Sequence, residues 1–140
     1  MTDVINISTE EETRQLATKF AKTLKMGDIV LLYGTLGVGK TFFTRSIIQT
    51  LLNSNTPVPS PTFTIVQNYD TPAGTISHYD LYRIEDASEL FELDIDNSLK
   101  NNITIIEWPE IIEDYITENF NPIKIKILNQ DNIRKFHINR

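Results

Sequence analysis

A glycine-rich segment in the first third of the chain constrains the fold more than any other feature. Residues 34–41 read G-T-L-G-V-G-K-T and fit the pattern G-x-x-x-x-G-K-[ST] of a phosphate-binding loop. The glycines let the backbone turn so that successive N–H groups point inward at phosphate oxygens. Lys40 supplies a positive charge for the outer phosphates, and the hydroxyl of Thr41 is a ligand for Mg²⁺. The segment therefore predicts a nucleotide site at a turn from a strand to a helix.

The flanks of this segment have the pattern that such a loop requires. Residues 29–33, I-V-L-L-Y, form a continuous apolar run typical of a strand buried on both faces of a parallel sheet. Downstream, apolar residues recur at helical spacing, at Phe43, Ile47, Ile48, Leu51 and Leu52. The alternative, an ordinary glycine-rich turn beside a surface lysine, fits these flanks poorly.

Length and charge limit the class of protein. A chain of 140 residues has the size of one domain, so we expect a single domain over 1–140. Lys and Arg number 13 and Asp and Glu 19, which gives 13 − 19 = −6. Such a chain is a poor nucleic-acid binder on its own. With no cysteine, no signal peptide and no apolar run long enough to span a bilayer, we expect a cytoplasmic protein that does not contact membranes.

Periodicity along the rest of the chain predicts alternating strands and helices. Ser8 and Glu11 have the spacing of a capping box that starts a helix. Further strands are predicted at 4–7, 64–69, 75–79, 103–106, 123–127 and 134–138, and further helices at 86–93 and 110–115. The order predicts an α/β, three-layer sandwich like that of P-loop NTPases, with central parallel strands and antiparallel edge hairpins.

Two acidic residues are candidates to complete the nucleotide site. Glu107 follows the apolar run 103–106, so its carboxylate emerges at the carboxyl end of a buried strand, where it could hold Mg²⁺. Asp80, in the segment H-Y-D-L-Y-R, could orient or deprotonate an attacking water. The alternatives are a surface Glu that closes a strand and an Asp that forms an Asx turn or an N-cap. His78 of the same segment fits a structural role better than a catalytic one.

Three further residues are weaker candidates. Thr62, in S-P-T-F, has the place of a switch threonine that senses γ-phosphate, although a proline-rich connector explains the same residues. Trp108 could stack on a base or cap the pocket, or pack in the core. Arg83 could reach a carboxylate or phosphate, or lie on the surface.

The class of nucleotide-binding protein follows from segments that the sequence lacks. It has no guanine-reading N-K-x-D segment, which favours ATP. Its five arginines do not cluster, so an arginine-rich kinase lid is unsupported. A small-molecule kinase and a nucleotide-gated binding module that hydrolyses nothing remain as alternatives.

Four segments in order then resemble one family. They are G-T-L-G-V-G-K-T-F-F-T-R, S-P-T-F-T-I-V, H-Y-D-L-Y-R and I-I-E-W-P-E, and together they are similar to the bacterial TsaE (YjeE) family. That family is the ATPase required for threonylcarbamoyladenosine (t6A) modification of tRNA. The resemblance implies a weak ATPase that acts with a TsaB–TsaD heterodimer, with tRNA bound mainly by these partners. In this interpretation the isolated chain is expected to be a monomer.

The resemblance also implies roles for individual residues. Mg²⁺ is expected at Thr41 and Glu107, catalysis at Asp80 and Glu107, and a switch at Thr62. Residues that hold ATP are expected at Gly34, Leu36, Gly37, Val38, Gly39, Lys40, Thr41, Trp108 and, with no sharp motif to fix them, Thr9 and Arg134. The sequence departs from the family at Thr35, where an acidic residue is usual, which puts catalysis or partner contacts at that position in question.

Overall fold

One mixed sheet organises the computed structural model, which describes residues 2–35 and 37–140. Its strands are β1 (Thr2–Ile7), β2 (Ile29–Tyr33), β3 (Val66–Thr71), β4 (Gly74–Asp80), β5 (Ile103–Glu107), β6 (Ile123–Gln130) and β7 (Ile133–Asn139). The helices are α1 (Glu10–Ala21), α2 (Lys40–Leu52), α3 (Ser88–Glu92), α4 (Ile95–Asn101) and α5 (Glu113–Asn119), with a short 3-10 turn at Pro109–Ile111.

The strand order is β1-β7-β6-β2-β5-β4-β3. Strands β6, β2, β5 and β4 are parallel neighbours, while β3 on β4 and β7 on β6 are antiparallel hairpin partners. Strand β1 adds antiparallel to β7. The predicted sheet, parallel at its centre and antiparallel toward its edges, is confirmed.

Helices cover both faces of this sheet. Helices α1 and α2 pack on one face with the even-numbered apolar residues of β2, Val30 and Leu32. Helices α3, α4 and α5 pack on the other face with Ile29 and Leu31. Because β2 is buried on both sides, its sequence is a continuous apolar run rather than an alternating one. The predicted three layers are therefore confirmed.

Several local predictions were wrong in position. The cap of α1 is Thr9 with Glu12, one residue later than the predicted pair of Ser8 and Glu11. Strand β3 starts at Val66, because Ile65 has a positive φ of 72°. The predicted helix 86–93 is shorter, as α3, and the predicted helix 110–115 is a 3-10 turn followed by α5. No helix among residues 2–35 and 37–140 is long and apolar enough to cross a membrane.

Candidate functional site

The glycine-rich loop connects β2 to α2, as its flanks predict. Gly39 precedes the helix with φ 109°, in the left-handed region that glycine tolerates. A Cβ at Gly39 would lie 2.9 Å from Nη1 of Arg134, and one at Gly34 would lie 2.7 Å from Cγ1 of Val38. Glycine is therefore favoured at Gly39 by the positive φ, and at Gly34 by the crowding of Val38 and of the Ile127 carbonyl oxygen, which would lie 3.0 Å from a Cβ. The loop ends at the amino end of α2.

Lys40, the first residue of α2, is buried with its ammonium group engaged by protein atoms. Its Nζ donates a hydrogen bond to the carbonyl oxygen of Gly34 and lies 3.3 Å from the centroid of the Trp108 ring. Burial lowers the pKa of Lys40, although the carboxylates of Glu107, Glu110 and Asp80 act to raise it. The ammonium group is thus poorly solvated, with the partial negative charge of the carbonyl and ring and the full charge of nearby carboxylates around it.

Glu107, the last residue of β5, has both carboxylate oxygens engaged. Its Oε1 accepts a hydrogen bond from Oγ1 of Thr41 at 2.9 Å, and its Oε2 lies 2.6 Å from Nε2 of His78. Glu107 is 1% exposed, so the carboxylate depends on these two partners for the hydrogen bonds that water would provide. Glu107 lies at the carboxyl end of a central strand, as the sequence predicts, and the structure places Thr41 beside it.

Asp80 ends the neighbouring strand β4 and pairs in register with Glu107. Its Oδ2 accepts from Oγ1 of Thr62 at 2.9 Å, and its Oδ1 accepts from the backbone N–H of Tyr82 at 3.0 Å. The second bond closes an Asx turn, which is the alternative role considered for Asp80. Asp80 therefore forms this turn and also lies beside Glu107. Thr62 in turn lies 2.7 Å from Oγ of Ser60.

These side chains surround one cavity of about 240 Å³. It is lined by Gly37, Gly39, Lys40, Thr41, Phe42, Thr62, Asp80, Glu107 and Trp108. Residues far apart in sequence thus converge because β4 and β5 are adjacent parallel strands whose carboxyl ends lie beside the glycine-rich loop. All four candidate segments, around residues 40, 62, 80 and 107, meet at this cavity.

A second cavity of about 240 Å³ contains the two candidates that no motif fixes, Thr9 and Arg134. Its other lining residues are Ile7, Ser8, Glu10, Thr13, Asn129 and Asn132. The Arg134 guanidinium also lies against Gly39, which brings this cavity to the other side of the glycine-rich loop. Thr9 also caps α1, because its Oγ1 accepts a hydrogen bond from the backbone N–H of Glu12 at 3.1 Å.

The remaining candidates divide between the site and its surroundings. Trp108 packs against Tyr82, with ring centroids 4.8 Å apart, as well as against Lys40. Arg83 lies over the ring of Phe63 at 4.4 Å, so it stacks on an aromatic side chain rather than pairing with an acid. Val38 is buried, and Thr35 is exposed. Leu36, also expected to hold ATP, lies outside the described residues.

The contact between His78 and Glu107 is not predicted by the sequence. A structural role fits His78 better from its sequence context, and in the structure its ring contacts the carboxylate of Glu107. The spacing indicates only that His78, two residues before Asp80 on one strand, shares a face with it, whereas the contact with Glu107 depends on the pairing of β4 with β5.

Comparison with known proteins decides the family. Residues 7–136 match the family described as threonylcarbamoyl adenosine biosynthesis protein TsaE. The chain belongs to the TsaE family. The tRNA threonylcarbamoyladenosine biosynthesis protein TsaE of Rickettsia bellii (strain RML369-C) is 46% identical over 125 residues, covering 89% of this chain and 87% of that protein. The protein of the same name from Bacillus subtilis (strain 168) is 36% identical over 122 residues, covering 86% of this chain and 75% of that protein.

A solved structure shows the same fold. The crystal structure of YdiB from Bacillus subtilis superimposes with a TM-score of 0.75 at 27% identity, over 99% of this chain and 84% of that one. The TsaE resemblance noted from the four segments is therefore confirmed both by sequence and by fold.

Proposed function

We propose that this TsaE-family chain is a Mg²⁺-dependent ATPase that serves threonylcarbamoyladenosine modification of tRNA. The observation that carries the proposal is one cavity in which Lys40 and Thr41 of the glycine-rich loop face Glu107 and Asp80. Family membership indicates the pathway, since relatives that are 46% and 36% identical over most of the chain are named for tRNA threonylcarbamoyladenosine biosynthesis.

The glycine-rich loop would hold the phosphates of ATP. Backbone N–H groups around Gly37 and Gly39 and the amino end of α2 favour negative charge. The ammonium group of Lys40, already at the cavity, would exchange the carbonyl oxygen of Gly34 and the Trp108 ring for β- and γ-phosphate oxygens.

The residues beside the loop suit Mg²⁺. This ion prefers oxygen ligands and is usually held by one or two protein oxygens together with phosphates and water. The hydroxyl of Thr41 and the carboxylate of Glu107 are such oxygens and lie 2.9 Å apart. In the described residues no three His, Cys, Asp or Glu side chains form a metal cluster, so the substrate phosphates would complete the set. When bound, the ion neutralises charge that develops on the phosphates.

Asp80 would position the attacking water. Its carboxylate lines the cavity one strand away from Glu107 and is fixed by the backbone N–H of Tyr82. The hydroxyl of Thr62, which now donates to Asp80, can rotate toward a γ-phosphate when one is present. Thr62 would thereby couple the state of the nucleotide to the segment that follows α2.

The rest of the nucleotide would extend past the loop toward the second cavity. Arg134 lies between Gly39 and Thr9, so its guanidinium can reach phosphate or ribose oxygens from that side. Thr9 would contribute through the backbone and hydroxyl at the start of α1. Trp108 would cover the opposite side of the phosphates, where its ring already meets Lys40.

The partner proposed for this ATPase is a TsaB–TsaD heterodimer, in the cytoplasm. With a net charge of −6, the chain repels rather than attracts the phosphates of tRNA, so the partner would hold most of the tRNA. The isolated chain is proposed to be monomeric.

The test measures phosphate release and ATP binding by the purified chain, with Mg²⁺ and with EDTA, in the absence and presence of purified TsaB–TsaD. The proposal predicts slow Mg²⁺-dependent release that rises when the partner is added. ATP consumption that requires a soluble metabolite instead would identify a small-molecule kinase. ATP binding with no release under any condition would identify a binding module.

A further inference from the structure

We propose that His78 is a positioning residue for Glu107: its imidazole fixes the carboxylate so that the other oxygen faces Thr41 and the Mg²⁺ site. This inference rests on the proposed function and assigns to the site a residue that contacts neither nucleotide nor metal. The group it acts through is Glu107, whose two oxygens have one partner each.

The surrounding side chains restrict the orientation of the Glu107 carboxylate. His78 is fully buried and the side-chain accessibility of Glu107 is 2%, so little solvent is available to replace either partner when the carboxylate rotates. Nε2 of His78 lies 2.6 Å from Oε2, and Oγ1 of Thr41 lies 2.9 Å from Oε1. His78 is on β4 and Thr41 on α2, so the two contacts hold the carboxylate from two separate elements.

The tautomer of His78 follows from its other ring nitrogen. Nδ1 is buried and has no hydrogen-bond partner among the described residues. A carboxylate only accepts hydrogen bonds, so the proton of a neutral imidazole belongs on Nε2, where it is donated to Glu107. A bare buried acceptor at Nδ1 is less costly than an N–H group with nothing to accept it.

The consequence concerns metal binding more than folding. A ligand carboxylate that is already oriented does not lose rotational freedom when the ion binds, and loss of such a supporting hydrogen bond typically weakens metal affinity by about 10- to 100-fold. Without His78, the buried carboxylate would lose one of its two hydrogen-bond partners and would be free to turn.

The experiment compares His78→Leu, which removes the donor, with His78→Gln, whose amide retains one. Isothermal titration calorimetry with a non-hydrolysable ATP analogue gives the Mg²⁺ concentration for half-maximal enhancement of binding. His78→Leu should raise that concentration about 10- to 100-fold, and His78→Gln should raise it less. Binding of the analogue in EDTA should not be weakened by either substitution.

Ser77→Ala is the matched control. Ser77 is also fully buried on β4, but it hydrogen-bonds Asn68, Ser98 and Asn102 on the other side of the strand. This substitution should lower the melting temperature and leave the Mg²⁺ requirement unchanged. The positioning role would be overturned if both His78 variants needed the same Mg²⁺ concentration as wild type. It would also be overturned if Ser77→Ala raised that concentration as much as His78→Leu does.

A measurement on the ligand-free protein guards against variants that do not fold. The chain has two histidines, so imidazole ¹⁵N signals of wild type and of His137→Gln identify those of His78. A proton on Nε2 is expected, and protonation at Nδ1 alone would contradict the proposal. If the wild type binds the analogue independently of Mg²⁺, the proposed function is overturned as well. If the wild type depends on Mg²⁺ and His78→Leu depends on it to the same degree, only the role of His78 is overturned.

Discussion

In the proposed ATPase, a substitution of Asp80 should separate ATP binding from ATP hydrolysis most clearly. Asp80→Asn keeps the side-chain oxygen that accepts from Tyr82 but removes the negative charge beside Glu107. Since a positioned carboxylate typically contributes at least about 100-fold to a proton-transfer step, we expect kcat to fall about 100-fold or more. The affinity for ATP should stay within about threefold of wild type, because the change acts on the transition state. Phosphate release and calorimetric titration measure the two quantities.

Asp86→Asn is the control for that substitution. Asp86 makes the same kind of bond, since its Oδ1 accepts from the backbone N–H of Ser88 at 3.0 Å, but it lies outside the cavity. Hydrolysis by Asp86→Asn should equal that of wild type. An equal loss in the two variants would show that the Asx turn, rather than the carboxylate in the cavity, matters for turnover.

If the proposed ATP site is correct, the pKa of Lys40 makes ATP binding depend on pH in a direction that can be predicted. Burial lowers its pKa from the ordinary value of 10.5, and the phosphates of ATP would raise the pKa again by favouring the charged form. At a pH between these two pKa values Lys40 is mostly deprotonated in the free protein and mostly protonated in the complex, so Mg²⁺-free ATP should bind with proton uptake. Titrations in two buffers of different ionisation enthalpy measure the uptake. Lys40→Met should abolish it, and proton release by the wild type would contradict this account.

For individual residues, the sequence predicted the position of those that belong to a motif. Lys40, Thr41 and Glu107 could be placed because a loop pattern and a strand end specify where their side chains emerge. The contact between His78 and Glu107 depends on the pairing of β4 with β5, which no local pattern specifies. The place of Arg134 beside Gly39 likewise depends on how β7 returns to the sheet.

Helix α1 depends on its cap. Thr9 accepts from the N–H of Glu12, and the Glu12 carboxylate accepts from the N–H of Ser8. Thr9→Ala should lower the free energy of unfolding by about 1 kcal/mol in urea denaturation, because orphan N–H groups at the helix start lose their acceptor. Thr9→Ser retains a hydroxyl and should restore most of the loss. A Thr9→Ala protein as stable as wild type would show that the cap contributes little.

Elements with strong periodicity were predictable and short ones were not. The apolar runs of β2 and β5 and the helical spacing in α2 identified the three elements around the loop. Helix α4 was missed because only Ile95 and Leu99 of its seven residues are apolar, although both are almost completely buried. The turn between β6 and β7 is also tighter than the polar run 129–132 suggested. Only Asp131 and Asn132, both with positive φ, form it.

The net charge of the whole molecule predicts a weak affinity for tRNA. With a net charge of −6, the chain should bind tRNA with a Kd weaker than about 10⁻⁴ M at physiological salt, the weak end of non-specific binding. A mobility-shift titration of the purified chain with tRNA measures this. Addition of TsaB–TsaD should produce a shifted complex, and micromolar binding by the chain alone would contradict the proposal that the partners hold the tRNA.

The central claim, that ATP hydrolysis at this site serves tRNA modification, is tested most directly in cells. The chromosomal copy is depleted, and wild type, Asp80→Asn or Asp86→Asn is supplied at equal protein levels. Mass spectrometry of tRNA nucleosides then measures threonylcarbamoyladenosine. The account predicts that wild type and Asp86→Asn restore the modified nucleoside while Asp80→Asn, still able to bind ATP, does not. Full restoration by Asp80→Asn would contradict it.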